Sequence, residues 1–125
     1  MDDLLIVELT EEERVMLRWG LLDWGGPASP TEALVRVMGF ESISDLHTSA
    51  RRIAESVWTG RGLSRRDWTR ALVATEFVWA SDVFGSGLDS IHSLGYSDSE
   101  AVATIRSVQR KLRKSGALVR GASLS

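Results

Sequence analysis

Cysteine and asparagine are absent from this chain, and lysine and histidine occur only as Lys111, Lys114, His47 and His92. Without cysteine there is neither a disulfide framework nor a thiolate metal site. Two histidines cannot make a histidine-rich centre. Composition leaves carboxylate-bound calcium or magnesium open, but no D-x-D-x-D-G run supports it. Phosphate cradles of the G-x-G-x-x-G or G-x-x-x-x-G-K-[ST] type are missing, as is a G-x-S-x-G nucleophile turn. No apolar run approaches the roughly 18 residues of a membrane span. The start, Met1-Asp2-Asp3-Leu4-Leu5, is acidic where a secretory signal is basic. The expectations are therefore a cytoplasmic protein with no cofactor, no metal and no membrane partner. Arginine standing almost everywhere for lysine fits GC-rich coding in a bacterium.

What is present is an ordinary globular balance, 43% hydrophobic and 26% charged over 125 residues. That is one domain, large enough to bury a core without staples. The net charge of −2 hides a split: residues 1–50 carry ten acids and three bases, residues 51–125 seven acids and twelve bases. The halves either pair with each other or leave a dipole that steers a partner.

One punctuation repeats along the chain: Ser or Thr, an acid three residues later, then an apolar-periodic stretch. The hydroxyl accepts from the N3 amide and the acid favours the positive helix end, which marks a helix start. Thr10 with Glu13 opens a helix over about 11–24, with Leu17, Leu21 and Trp24 on one face, stopped by Gly25-Gly26-Pro27. Ser29 with Glu32, and Pro30 at the first helical position, opens a short second helix ending near Met38 and Gly39. Ser42 with Asp45 opens a third, whose stripe is Ile43, Leu46, Ala50, Ile53 and Val57. Ser64 with Asp67 opens a fourth over about 65–84. It is apolar nearly all round, with only Arg70, Ala74 and Ser81 on a solvent-tolerant strip, so it belongs at the centre. Ser97 with Glu100 opens the last, over about 98–114, and Leu88, Ile91 and Leu94 sit at helical spacing before it. The fold class is all-α: a single compact bundle of five to six helices around 65–84. Residues 1–9 form an extended arm against it, 10–116 the bundle, and 117–125 a flexible tail.

Candidate chemistry is sparse. Glu76 falls among apolar positions of the fourth helix, so it is either a ligand-binding acid or half of a structural ion pair, with Arg106 as a partner. Asp89 and His92 lie in a glycine-rich loop, either as an acid–base pair or as loop residues without a role. Arg61, Arg65 and Arg66 surround a helix start that either holds an anion or is simply solvated. Five tryptophans are many for this length, and most fall on apolar faces. Trp19 and Trp58 lie nearest the edges of their stripes and are the candidates for contact with a partner.

Residues 34–53 carry a Gly39-Phe40 turn, the helix-start serines Ser42 and Ser44, apolar Leu46 and the Arg51-Arg52 pair. In these features they resemble the second helix-turn-helix of AraC-type regulators. Gly62-Leu63-Ser64 and Trp68 resemble the G-x-S turn and aromatic residue that come next in that family. The gap from Arg52 to Gly62 is longer than in that family, its first helix-turn-helix has no counterpart, and Glu41 and Asp45 stand where phosphates would lie. The resemblance implies DNA binding through about 31–58, using Arg36, Arg51, Arg52, Arg65 and Arg66. Residues 36–70 hold seven arginines against four acids, although a pI near 5.7 is not that of a general DNA binder.

The leading expectation is a non-enzymatic protein-interaction or regulatory module, including the neutralising kind typified by immunity proteins. Its partner is another protein or a second copy. The alternative is DNA binding, and a third reading is an enzyme or small-molecule binder at Glu76, Asp89 and His92.

Overall fold

The computed structural model of the chain describes residues 4–25, 31–84 and 98–119. Among them are five α-helices in chain order: α1 Glu11–Leu22, α2 Glu32–Val37, α3 Ile43–Thr59, α4 Arg65–Phe84 and α5 Asp98–Lys114. The protein is all-α, and among the described residues the one β feature is a bridge between Leu5 and Leu63. No helix among the described residues is long and apolar enough to cross a membrane.

The helix starts obey the hydroxyl–acid rule with variations. Thr10 and Glu13 close a full capping box: Thr10 Oγ1 accepts from the Glu13 amide at 3.2 Å and Glu13 Oε1 accepts from the Thr10 amide at 2.7 Å. At α3, Ser42 Oγ accepts from the Asp45 amide, but Asp45 reaches one residue further back and accepts from the Glu41 amide at 2.9 Å. At α4, Ser64 caps the Asp67 amide, while the Asp67 carboxylate turns sideways to two arginines. The second helix corrects the expected start. Its cap is Thr31, which accepts from the Leu34 amide at 3.1 Å, so Glu32 is the first helical residue. Ser29 and Pro30 lie outside the described residues, as do Ser97, the segment Gly85–Tyr96 with Leu88, Ile91 and Leu94, and residues 120–125.

Three helices end alike. Gly39, Gly60 and Gly116 take φ of 97°, 76° and 73°, and the residue after each glycine donates back to a carbonyl five residues earlier. A left-handed turn of this kind satisfies the orphan carbonyls of a helix end and costs a Cβ-bearing residue strain. After the last of these turns the expected tail begins docked. Ala117 is buried, Leu118 packs on the core and the Val119 amide donates to Thr69 Oγ1 at 2.8 Å.

The core is shared by α1, α3, α4 and α5 through Leu17, Leu21, Leu46, Ile53, Trp68, Leu72, Val108 and Leu112. Helix α4 is its axis, since every residue from Asp67 to Glu76 is buried. This overturns the solvent-tolerant strip expected along α4. Arg70 is only 7% exposed and Ala74 is fully buried. The Gly39-Phe40 turn lies over Arg70, and Trp24 Nε1 donates to the Ala74 carbonyl at 3.3 Å. The side chain of Ser81 lies outside those described.

Helices α1 and α4 touch at Gly20. A Cβ added there would stand 2.1 Å from Thr75 Oγ1 and 2.5 Å from Thr75 Cα. Only hydrogen on the Gly20 Cα permits an approach this close.

Candidate functional site

Of the acid–histidine set, Glu76 alone falls among the described side chains. It is 5% exposed, and Gln109 Nε2 donates to its Oε2 at 2.8 Å. Arg106, one turn before Gln109 on α5, is exposed. A buried carboxylate needs donors of this kind, since burial otherwise disfavours its charge. Asp89 and His92 lie outside the described residues, as do the side chains of Asp82 and Trp79. Among the described residues no histidines and carboxylates cluster as metal ligands.

The arginines divide into two kinds. Arg52 grips Asp67 with both terminal nitrogens, at 2.9 and 3.3 Å, and Arg70 Nη1 shares Asp67 Oδ1 at 3.3 Å. Arg70 Nε also donates to the Gly39 carbonyl at 2.8 Å, and its guanidinium lies 4.9 Å from the centre of the Phe40 ring. One carboxylate thus ties α3, α4 and the α2–α3 turn together. Beside it, the Glu41 amide and the Ser49 hydroxyl hold the Asp45 carboxyl below the usual aspartate range. Arg51, Arg61, Arg65 and Arg66 are exposed. Arg70→Met is therefore expected to cost about 1–2 kcal/mol, the value of a charged hydrogen bond and a stacked cation. Denaturant unfolding measures this, and an unchanged midpoint would mean the turn is held by other contacts.

The two tryptophans expected at stripe edges part company. Trp19 is partly buried against Met16 and Ala101 on the α1–α5 seam, with its Nε1 enclosed and, among the described residues, without a hydrogen bond. Trp58, in the last turn of α3, is 40% exposed, and Arg18 of α1 lies over its ring at 5.2 Å.

Trp58 stands at the start of the α3–α4 connection, along which further exposed side chains lie. A Cβ on Gly60 would meet Arg14 Nη2 at 3.9 Å, one helical turn before Arg18 on α1. A Cβ on Gly62 would meet Leu4 at 3.2 Å and Ile6 at 3.3 Å. Leu4 and Ile6 are 70% and 72% exposed. Arg61 stands exposed between the two glycines. Along the connection there are thus an exposed aromatic ring, two exposed aliphatic side chains beside Gly62, and Arg14, Arg18 and Arg61. Aromatic and arginine side chains grouped around small residues are the composition of binding anchors.

Leu4, Ile6, Arg14 and Arg18 are not singled out by sequence reasoning. The signal available was the period-two alternation of the arm, with Leu5, Val7 and Leu9 turned inward. Arg14 and Arg18, four apart on α1, carry no local mark of what they cover.

No family model matches this chain, no curated protein matches it and no solved structure matches it. The likeness of residues 34–53 to AraC-type regulators is thus unaccompanied by a family match.

Proposed function

We propose that this chain is a non-enzymatic protein-interaction module and that it takes its partner on the face around Trp58. The observation carrying this reading is the exposed Trp58 ring under Arg18, with exposed Leu4 and Ile6 beside Gly62 further along the α3–α4 connection. Such a patch costs solubility, and a surface that retains it gains from covering it. A neutralising partner of the immunity kind is one case of this reading and predicts a single tight complex.

The test is affinity capture of the tagged chain from a lysate of its own cells, with and without nuclease, beside Trp58→Ala. The expected result is a protein recovered regardless of nuclease and weakened about 30-fold by the substitution, the loss typical of a central tryptophan. Equal recovery by both chains would remove Trp58 from the contact, and recovery of nothing would sink the interaction reading.

One observation favours DNA binding as a second reading: α2 and α3 are consecutive helices about the Gly39-Phe40 turn, with Arg51, Arg65 and Arg66 exposed nearby. Less supports it than the sequence suggested, because Arg52 and Arg70 are engaged by Asp67. It predicts affinity falling steeply with salt and lost in Arg51→Glu with Arg65→Glu. Binding indifferent to salt would end it.

A further inference from the structure

Folding gathers three arginines at the C-terminal end of α3. Arg18 lies over the Trp58 ring at 5.2 Å, and Arg14, one turn before it on α1, comes within 3.9 Å of where a Gly60 Cβ would stand. Arg61 follows Gly60 directly and is exposed, as is Arg18. None of the three closes an ion pair among the described residues, where the paired cations are Arg52, Arg70 and Lys111. Glu55, one turn before Trp58, and Glu11, one turn before Arg14, are exposed and close none either.

Part of this charge has a local use. Helix α3 has no base in its own last turn, and the negative end of a helix carries about half an elementary charge, so one cation from α1 answers it. Three exceed that need. Like charges one turn apart on a helix repel, as Arg14 and Arg18 do on α1. A ligand of opposite charge relieves that repulsion, and complementary charge across a contact selects the partner.

We infer, building on the interaction reading above, that the partner meets this face with an acidic segment, aspartates or glutamates beside a leucine or aromatic side chain. The apolar side chain packs on the open part of Trp58, which is 40% exposed, and the carboxylates take the free donors of Arg14, Arg18 and Arg61. Arginine suits this task because its planar fork pairs with a carboxylate while it stays stacked on a ring. Gly60, left-handed at φ 76°, carries no side chain to hold a partner's backbone away. A second copy is a poorer occupant, since a two-fold contact presents the same face to itself and sets arginine against arginine. A nucleic acid is poorer too. Its charges repeat about every 1.7 Å of duplex and would run past the arginines onto Glu11 and Glu55.

The probe is a random-peptide phage library selected on the full chain, keeping clones that fail to bind Trp58→Ala. The recovered sequences are expected to be enriched about twofold or more in aspartate and glutamate over the starting library. The strongest binder, made as a free peptide, is expected to bind Arg61→Glu about tenfold more weakly and to lose affinity as salt rises. Arg61 lies in the connection with its side chain in water, so this reversal leaves the core untouched, and circular dichroism checks the fold. Arg18→Gln is the second variant and is expected to weaken the peptide in the same direction. Neutral or basic sequences, or none that depends on Trp58, would overturn the acidic segment. So would a peptide that both arginine variants hold as tightly as the parent. An oligodeoxythymidine bound at Trp58 more tightly than the peptide would assign the face to a nucleic acid instead. Capture from lysate that depends on Trp58 but is unchanged by Arg61→Glu and by Arg18→Gln would leave the interaction reading standing and remove only the acidic occupant.

Discussion

Gly20→Ala is expected to destabilise the protein by about 2 kcal/mol, within the range of overpacked cores. At an open helical site the same change stabilises by up to about 1 kcal/mol, because alanine is the better helix former. The sign therefore reports the α1–α4 approach directly. The new Cβ would stand 2.5 Å from both Cα and Cβ of Thr75, so the helices must move apart. Adding Thr75→Ala is expected to restore little, because the backbone contact remains. Denaturant unfolding of the two variants measures this, and a Gly20→Ala chain as stable as the parent would mean that α1 and α4 do not cross at these residues.

The second large effect is an asymmetry between the two ends of one ion pair. Glu13 is 2% exposed, whereas the Lys111 side chain that donates to its Oε1 is 38% exposed. Lys111→Met strands a buried carboxylate and is expected to cost about 2–3 kcal/mol at neutral pH. Glu13→Gln keeps an acceptor for the Thr10 amide and releases Lys111 to water, so about 1 kcal/mol is expected. The order of the two losses is the prediction, and equal losses would contradict it.

The same carboxyl sets a pH dependence. Burial pushes the Glu13 pKa up, but the hydrogen bond and charge of Lys111, the nearby Ser107 hydroxyl and the Thr10 amide outweigh it and leave the pKa below the ordinary 4.5. The folded state thus favours the ionised form. That stabilisation is complete above 4.5 and fades as pH falls through the depressed value. Asp45 acts in the same direction, below its ordinary 3.8. Unfolding measured down the acid limb is expected to fall less steeply in Glu13→Gln than in the parent, and parallel curves would assign the acid sensitivity elsewhere.

The helix starts were legible because a cap is local: Thr10, Ser42 and Ser64 needed only the hydroxyl and the amide three residues on. The start of α2 slipped by two residues because Ser29 and Thr31 both offer a hydroxyl there, and only the chain path chooses between them. The helical wheel of α4 failed at Arg70 and Ala74 because the turn at Gly39-Phe40 and the ring of Trp24 arrive from distant sequence. Gly20 carried no signal of its own, since a glycine inside a helix reads as a mild weakness unless the neighbour it admits is known. Trp58 was legible as an edge residue of the α3 stripe. Arg18 above it and the arm beside Gly62 were not, since those contacts exist only in the folded chain.

The most direct test of the interaction face is fluorine NMR of the chain labelled with 5-fluorotryptophan, in clarified lysate of its own cells before and after nuclease. Trp58→Phe identifies the resonance of interest. A Trp58 signal that shifts or broadens regardless of nuclease, while the buried Trp24 and Trp68 hold still, is the predicted result. A Trp58 signal the same in lysate as in buffer, or a change abolished by nuclease, would contradict a protein partner on this face.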